Sequence, residues 1–73
     1  EKEIDGYQIR EILNDFLGTL SRKDRDIFVR RYWYIDSIRE IAQRHQVTET
    51  NVKSNLYRSR KKLLKIMNKE GIL

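Results

Sequence analysis

The stretch from Ser37 to Arg60, SIREIAQRHQVTETNVKSNLYRSR, constrains the fold most, because it encodes two helices with a very short connection. Ser37 and Glu40 have the spacing of a capping box, in which each side chain accepts a hydrogen bond from the other residue's backbone N–H at a helix start. Apolar residues then recur at helical spacing and predict one buried face. The positions on that face are Ile38, Ile41, Ala42 and His45.

A second helix is predicted directly after a turn at Gln46, with Thr48 as its N-cap. The inward face of that helix is formed by Val52, Leu56 and Ser59. Ala42 is small where the two helices have to cross closely, and Val47 is an apolar residue that fills the gap between them. Residues 37–60 therefore predict a helix-turn-helix, the motif whose second helix enters the DNA major groove.

Two further helices are predicted before this motif. Residues 7–20 carry apolar side chains at the spacing of an amphipathic helix, and Ser21 begins the next helix with Asp24 three residues on. Residues 1–6 lack this periodicity and are expected to be a lead-in. We therefore predict an all-α fold without a winged-helix hairpin, a single DNA-binding domain over residues 1–73. Its four helices are expected at about 7–19, 22–34, 37–45 and 48–68.

Length and composition exclude several classes of protein. The chain has 73 residues and no cysteine, so disulfides and thiolate metal sites are unavailable. No apolar run approaches the roughly 18 residues that cross a bilayer. These features predict a small domain in the cytoplasm. Because the chain begins at Glu1 rather than methionine, we expect it to be part of a longer protein.

The charge is distributed unevenly along the chain. Residues 1–20 carry a net charge of −3, residues 21–46 carry +3 and residues 47–73 carry +5. Positive charge is therefore concentrated where the helix-turn-helix is predicted, and such a gradient favours a polyanionic partner. A solvated basic face on a long helix is the alternative, so charge by itself does not decide between them.

No catalytic constellation is present in the sequence. His45 is the only histidine, and its position on the apolar face of its helix predicts a packed side chain rather than a base or metal ligand. The acidic residues are scattered without metal-ligand spacing, and the three glycines stand apart, so no phosphate loop exists. We therefore predict no enzyme activity, no cofactor and no small-molecule substrate.

Residues 30–34, RRYWY, combine two cations with three aromatic residues. This pattern is compatible with phosphate contact and base stacking. In so small a domain, three aromatic residues at the end of a helix more often form core and its rim, which is the interpretation we favour.

From Leu20 onward the sequence resembles region 4 of bacterial RNA polymerase sigma factors, in particular the shorter alternative, extracytoplasmic-function-like ones. The resemblance covers about three-quarters of the chain and rests on four pieces. They are Leu20-Ser21 with Asp24-Arg25 and Ile27-Phe28, then Ser37-Ile38-Arg39-Glu40-Ile41-Ala42, then Val47-Thr48, and then Val52-Lys53-Ser54 with Leu56 and the basic run Arg58-Ser59-Arg60-Lys61-Lys62-Leu63.

The resemblance implies a domain that reads the promoter −35 element while it holds the β-subunit flap of RNA polymerase. The base-contacting candidates that it implies are Glu49, Thr50, Asn51, Lys53 and Ser54. Their chemistry suits particular bases: Asn51 can pair with adenine, Lys53 with guanine and Glu49 with cytosine. The phosphate-contacting candidates are Lys23, Ser37, Arg39, Arg58 and Arg60.

Three further expectations accompany the resemblance. Arg25 and Glu40 are candidates for an internal ion pair. The helix over residues 7–20 and the aromatics from Phe28 to Trp33 are candidates for the polymerase surface. An anti-sigma factor is a further possible partner.

The sequence departs from the family pattern at two positions. Gln46 stands where a turn glycine or asparagine is usual, which implies a strained left-handed residue. Asn55 stands where arginine is usual, so the DNA contact of that arginine is not carried over.

Two other readings remain open. A DNA-binding effector domain of the response-regulator or quorum-sensing type shares the layout but usually ends on a short helix. A protein-binding helical adaptor is the third reading, and the basic residues 47–73 argue against it.

Overall fold

The computed structural model describes residues 6–71, which form four α-helices. The helices are α1 (Gly6–Thr19), α2 (Arg22–Tyr32), α3 (Ile38–His45) and α4 (Glu49–Lys69). The predicted all-α fold is therefore confirmed, and this part of the chain contains no strand. The lead-in expected over residues 1–6 lies outside the described residues, apart from Gly6, which begins α1. None of the described helices is both long and apolar enough to span a bilayer.

Side-chain caps begin α2, α3 and α4. The Ser37 hydroxyl accepts from the Glu40 N–H at 3.0 Å, and the Glu40 carboxylate accepts from the Ser37 N–H at 3.0 Å, so the predicted capping box is confirmed. The hydrogen bonds from the backbone and then from the hydroxyl of Ser37 lower the pKa of Glu40. Ser21 and Thr48 each accept from the backbone N–H three residues on, at 3.2 and 3.0 Å.

The central element is α4, against which each of the other three helices packs. α1 lies on its C-terminal half, where Ile12 and Leu13 meet Leu63 and Met67. α2 and α3 pack on its N-terminal half and close the core. The buried apolar side chains of this core are Phe16, Leu20, Ile27, Phe28, Ile41, Ala42, Val52 and Leu56.

α2 ends at Tyr32, two residues earlier than the predicted end at residue 34. The N–H groups of Trp33 and Tyr34 both donate to the Val29 carbonyl, at 2.9 and 3.3 Å, and Ile35 then adopts a φ of 58°. A β-branched residue in the left-handed region is uncommon and costs about 1–2 kcal/mol. The spacing of apolar residues does not predict this turn, because the aromatic residues 32–34 continue past the end of the helix.

The turn between α3 and α4 is centred on Gln46, which has φ 54° and ψ 45°. The left-handed residue expected at this position is therefore confirmed. The N–H of Val47 donates to the Ala42 carbonyl at 3.0 Å, and the Val47 side chain packs against the core. Ala42 itself is buried at the α3–α4 crossing, as predicted.

The expected ion pair between Arg25 and Glu40 is wrong. Arg25 instead donates its Nε to the Leu17 carbonyl at 3.0 Å and its Nη2 to the Leu20 carbonyl at 3.3 Å. The Leu17 carbonyl, in the last turn of α1, also accepts from the Leu20 N–H at 3.2 Å, and Leu20 directly follows α1, so Arg25 joins α2 to the end of α1.

Candidate nucleic-acid interface

The five base-contacting candidates lie in the first two turns of α4. All of them are exposed: Glu49, Thr50, Asn51, Lys53 and Ser54. Val52, in the middle of this segment, is fully buried and anchors the turn that presents the others. The Thr48 cap fixes where α4 begins. The structure therefore brings these five side chains together on one helix end, the part of a recognition helix that reaches base edges.

The five phosphate-contacting candidates are exposed but lie on three helices. Lys23 is in the first turn of α2, Ser37 and Arg39 are at the start of α3, and Arg58 and Arg60 are on α4. Arg60 donates its Nη1 to the Tyr32 hydroxyl at 3.0 Å, so its guanidinium is held against the end of α2.

Asn55 faces the interior, because only 5% of it is exposed. Its Nδ2 donates to Asp24 Oδ1 at 2.7 Å, while its own Oδ1 is buried without a hydrogen-bond partner. The position at which the family resemblance places an arginine therefore ties α4 to α2 in this chain. The inward stripe predicted for α4 omitted Asn55, although its spacing from Val52 is helical.

Asp26 joins α2 to the end of α3. It accepts from His45 Nε2 at 2.7 Å and from Arg44 Nε at 3.1 Å, and Arg30 Nε lies 3.6 Å from its other oxygen. Burial by itself would raise the pKa of Asp26, but the hydrogen bonds and charges of His45 and Arg44 outweigh burial and lower it. The packed histidine predicted at position 45 is confirmed, with 16% of its side chain exposed.

Sequence reasoning missed the role of Asp26, because residues 19 positions apart leave no local pattern. Among the described residues, no group of three or more histidine, cysteine or carboxylate side chains is arranged to hold a metal ion.

An apolar groove lies between α1 and the end of α2, lined by Asn14, Leu17, Val29, Trp33 and Tyr34. Trp33 is 52% exposed and Tyr34 is 62% exposed, and the Arg30 guanidinium lies 4.4 Å from the Tyr34 ring centroid. The aromatic residues at the end of α2 are therefore rim, while Phe28 beneath them is core.

The C-terminal half of α4 is strongly basic. Arg58, Lys61, Lys62 and Lys65 line its outer surface with Leu64 and Asn68. The helix has 21 residues and ends at Lys69. A long basic final helix is the feature that distinguishes this chain from effector domains with a short final helix.

Comparison with known families gives one assignment. Residues 10–63 match the family model described as sigma-70, region 4, a span that covers α2, α3 and most of α1 and α4. A search of curated proteins found no match. The matched span contains the whole helix-turn-helix, and region 4 is a DNA-binding regulatory domain rather than a known enzyme family. The chain therefore belongs to the sigma-70, region 4, family of domains that recognise promoter DNA in transcription.

Proposed function

We propose that this domain reads the promoter −35 element through the first two turns of α4 while it is bound to core RNA polymerase. The observation that carries the proposal is the cluster of five exposed polar side chains at the start of α4. Glu49 accepts hydrogen bonds, Lys53 donates them, and Asn51 can do both, so the cluster can distinguish base edges in the major groove.

In this proposal the phosphate contacts position the domain on the duplex and carry no sequence information. Lys23, Arg39 and Arg58 supply cations from three different helices, which fixes orientation better than cations from one helix. Ser37 caps α3, and its hydroxyl is proposed to donate to a phosphate oxygen in place of the Glu40 carboxylate when DNA binds. The hydrogen bond from Arg60 to Tyr32 limits the rotamers of Arg60 before DNA binds.

The groove between α1 and α2 is the proposed site for polymerase, with the β-subunit flap as its partner. Its Leu17, Val29 and Trp33 side chains supply apolar contact area, and exposed aromatic residues are typical interface anchors. The reading residues lie on α4, so polymerase and DNA can be bound at the same time.

The test is transcription by core RNA polymerase with the full-length protein, on templates randomised across the −35 region. We expect promoter-dependent initiation and enrichment of one −35 motif. Core polymerase without the protein is the control. Failure to initiate, together with sequence-specific binding of DNA as a dimer, would replace this proposal with an activator of the effector-domain type.

A further inference from the structure

A concave surface lies between the start of α2 and the end of α3. Its lining residues are Arg22, Lys23, Asp26, Arg44 and His45, and we call it the α2–α3 basin. Three permanent cations and one carboxylate give the basin a net positive charge. A surface of this shape and sign is suited to an anion.

The single carboxylate in the basin is already occupied by basic groups. Asp26 accepts from His45 at 2.7 Å and from Arg44 at 3.1 Å. Arg44 uses only its Nε for this bond and its side chain is 50% exposed, so the two terminal amino groups of its guanidinium remain available to donate hydrogen bonds to a ligand. Asp26 therefore orients Arg44.

The other two cations of the basin are not engaged. Within residues 6–71, Arg22 and Lys23 make no hydrogen bond and no ion pair, and both are exposed. Their charges are therefore available to a ligand without the loss of an existing contact.

The basin lies beside the N-terminal half of α4. Arg44 and His45 are the last residues of α3, directly before the turn that leads into α4. At the other side of the basin, the hydrogen bond from Asn55 to Asp24 holds the start of α2 against the second turn of α4. The basin therefore flanks the end of α4 that carries the reading residues.

A helix in the major groove brings its flanks close to the DNA backbone. The groove is about 12 Å wide and a helix with its side chains is about 10 Å across. We propose that the α2–α3 basin binds the phosphodiester backbone of one strand beside the −35 element, with Arg22 and Arg44 as phosphate ligands and Asp26 as the positioning residue. This inference rests on the proposed function, because it requires α4 to enter the groove.

The experiment measures binding of a fluorescent promoter duplex to polymerase holoenzyme over a range of salt concentrations. The variants are Arg22→Gln and Arg44→Gln, and the control is Lys69→Gln. The control removes the same charge at the other end of α4, about 30 Å along the helix. Arg22→Gln disturbs no contact inside the described residues, so it separates a lost phosphate contact from a loosened fold.

We expect each basin variant to reduce the slope of log K against log salt by about 0.9, the value for one phosphate contact. The affinity for cognate and scrambled −35 duplexes should fall by the same factor, and Lys69→Gln should leave the slope unchanged. The proposal would be overturned if the basin variants kept the wild-type salt slope, or if Lys69→Gln reduced the slope as much as they do.

Two further readouts separate the possible failures. Addition of inorganic pyrophosphate tests whether the basin binds a free phosphorylated ligand instead of DNA. The proposal would also be overturned if pyrophosphate raised the thermal stability of the wild type but not of Arg44→Gln, while the salt slopes for DNA binding were the same in the basin variants and the wild type. The preference of wild-type holoenzyme for cognate over scrambled duplex tests the proposed function by itself. If that preference is absent, the slopes on scrambled duplex still test the basin.

Discussion

At the residue scale, Lys53 is where base reading and attraction to the backbone are easiest to separate. It is exposed and follows the buried Val52, so it can be truncated without loss of core packing. We expect Lys53→Ala to weaken binding to the cognate −35 duplex by about 1–3 kcal/mol and to have little effect on a scrambled duplex. Fluorescence anisotropy with both duplexes measures this difference.

Arg58→Ala is the matched control for Lys53, because it removes one cation from the same helix. As a proposed phosphate contact it should weaken both duplexes alike and reduce the salt slope by about 0.9. An equal loss on both duplexes in Lys53→Ala would instead make Lys53 a phosphate contact.

Gln46 is a second residue with a defined energetic role. Its left-handed conformation, with φ 54°, is one that glycine adopts without the steric cost of a Cβ atom. We therefore expect Gln46→Gly to raise the free energy of unfolding by about 1 kcal/mol. Chemical denaturation measures it. The control is Gln43→Gly, within α3, where glycine should lower stability by about 1 kcal/mol. If Gln46→Gly also destabilises the domain, the side chain of Gln46 stabilises the fold by more than its left-handed backbone conformation costs.

At the scale of elements, the α3–α4 crossing depends on a small residue. Ala42 is 5% exposed and lies in the core beside Val52 and Leu56. We expect Ala42→Leu to destabilise the domain by about 1–3 kcal/mol, because added methyl groups have no space between the helices. Thermal unfolding measures the change. Gln43→Leu, at the neighbouring exposed position, is the control and should unfold close to the wild type.

The contact between α2 and α3 should depend on pH through Asp26. Its folded pKa lies below the usual value of 3.8, so its contribution to stability is present above that value and is lost as the pH falls through the folded pKa. We expect Asp26→Asn to be less stable than the wild type near neutral pH, by about 1 kcal/mol or less for a partly exposed pair. The difference should shrink as the pH falls below 3.8 and vanish once the pH is below the folded pKa of Asp26.

Denaturant unfolding from neutral to acid pH tests this dependence. Asp15→Asn, an exposed carboxylate on α1, is the control and should show no such convergence with the wild type. A difference that stays constant across this range would mean that the α2–α3 contact does not depend on the Asp26 charge.

The sequence predicted what is encoded locally and missed what depends on distant residues. The capping box at Ser37 and the buried Ala42 follow from residues a few positions apart, and the left-handed Gln46 follows from the family resemblance. The partners of Asp26 and Asn55 lie 19 and 31 positions away, and only the folded chain brings them together. The early end of α2 was missed because a left-handed isoleucine contradicts local preference.

At the scale of the whole molecule, α4 makes the domain elongated. The described residues extend 43 Å in one direction and 19 Å in the other two. The base-contacting candidates occupy the start of α4, while the α1–α2 groove is formed by other helices. One helix therefore carries the proposed base-contacting residues and also packs against the helices that form the groove, so substitutions in the groove and in α4 should have separable effects.

Tyr34 and Tyr57 provide a matched pair for testing that separation. They are 62% and 56% exposed, and each ring has a cation beside it, Arg30 at 4.4 Å and Lys61 at 5.4 Å. Only Tyr34 lines the α1–α2 groove. We expect Tyr34→Ala to weaken binding to core polymerase by about 1 kcal/mol or more, as is typical of aromatic interface anchors, while Tyr57→Ala leaves that affinity unchanged.

Binding of each full-length variant to core polymerase, measured without promoter DNA, isolates this effect from DNA recognition. Tyr34→Ala should then retain the wild-type preference among −35 sequences once the polymerase concentration is raised enough to saturate it, because the residues that read bases are unchanged. Equal losses of polymerase affinity in Tyr34→Ala and Tyr57→Ala would indicate that the groove is not the specific binding site and that polymerase also contacts α4. An altered −35 preference in Tyr34→Ala would mean that the groove also sets the orientation of α4 on DNA.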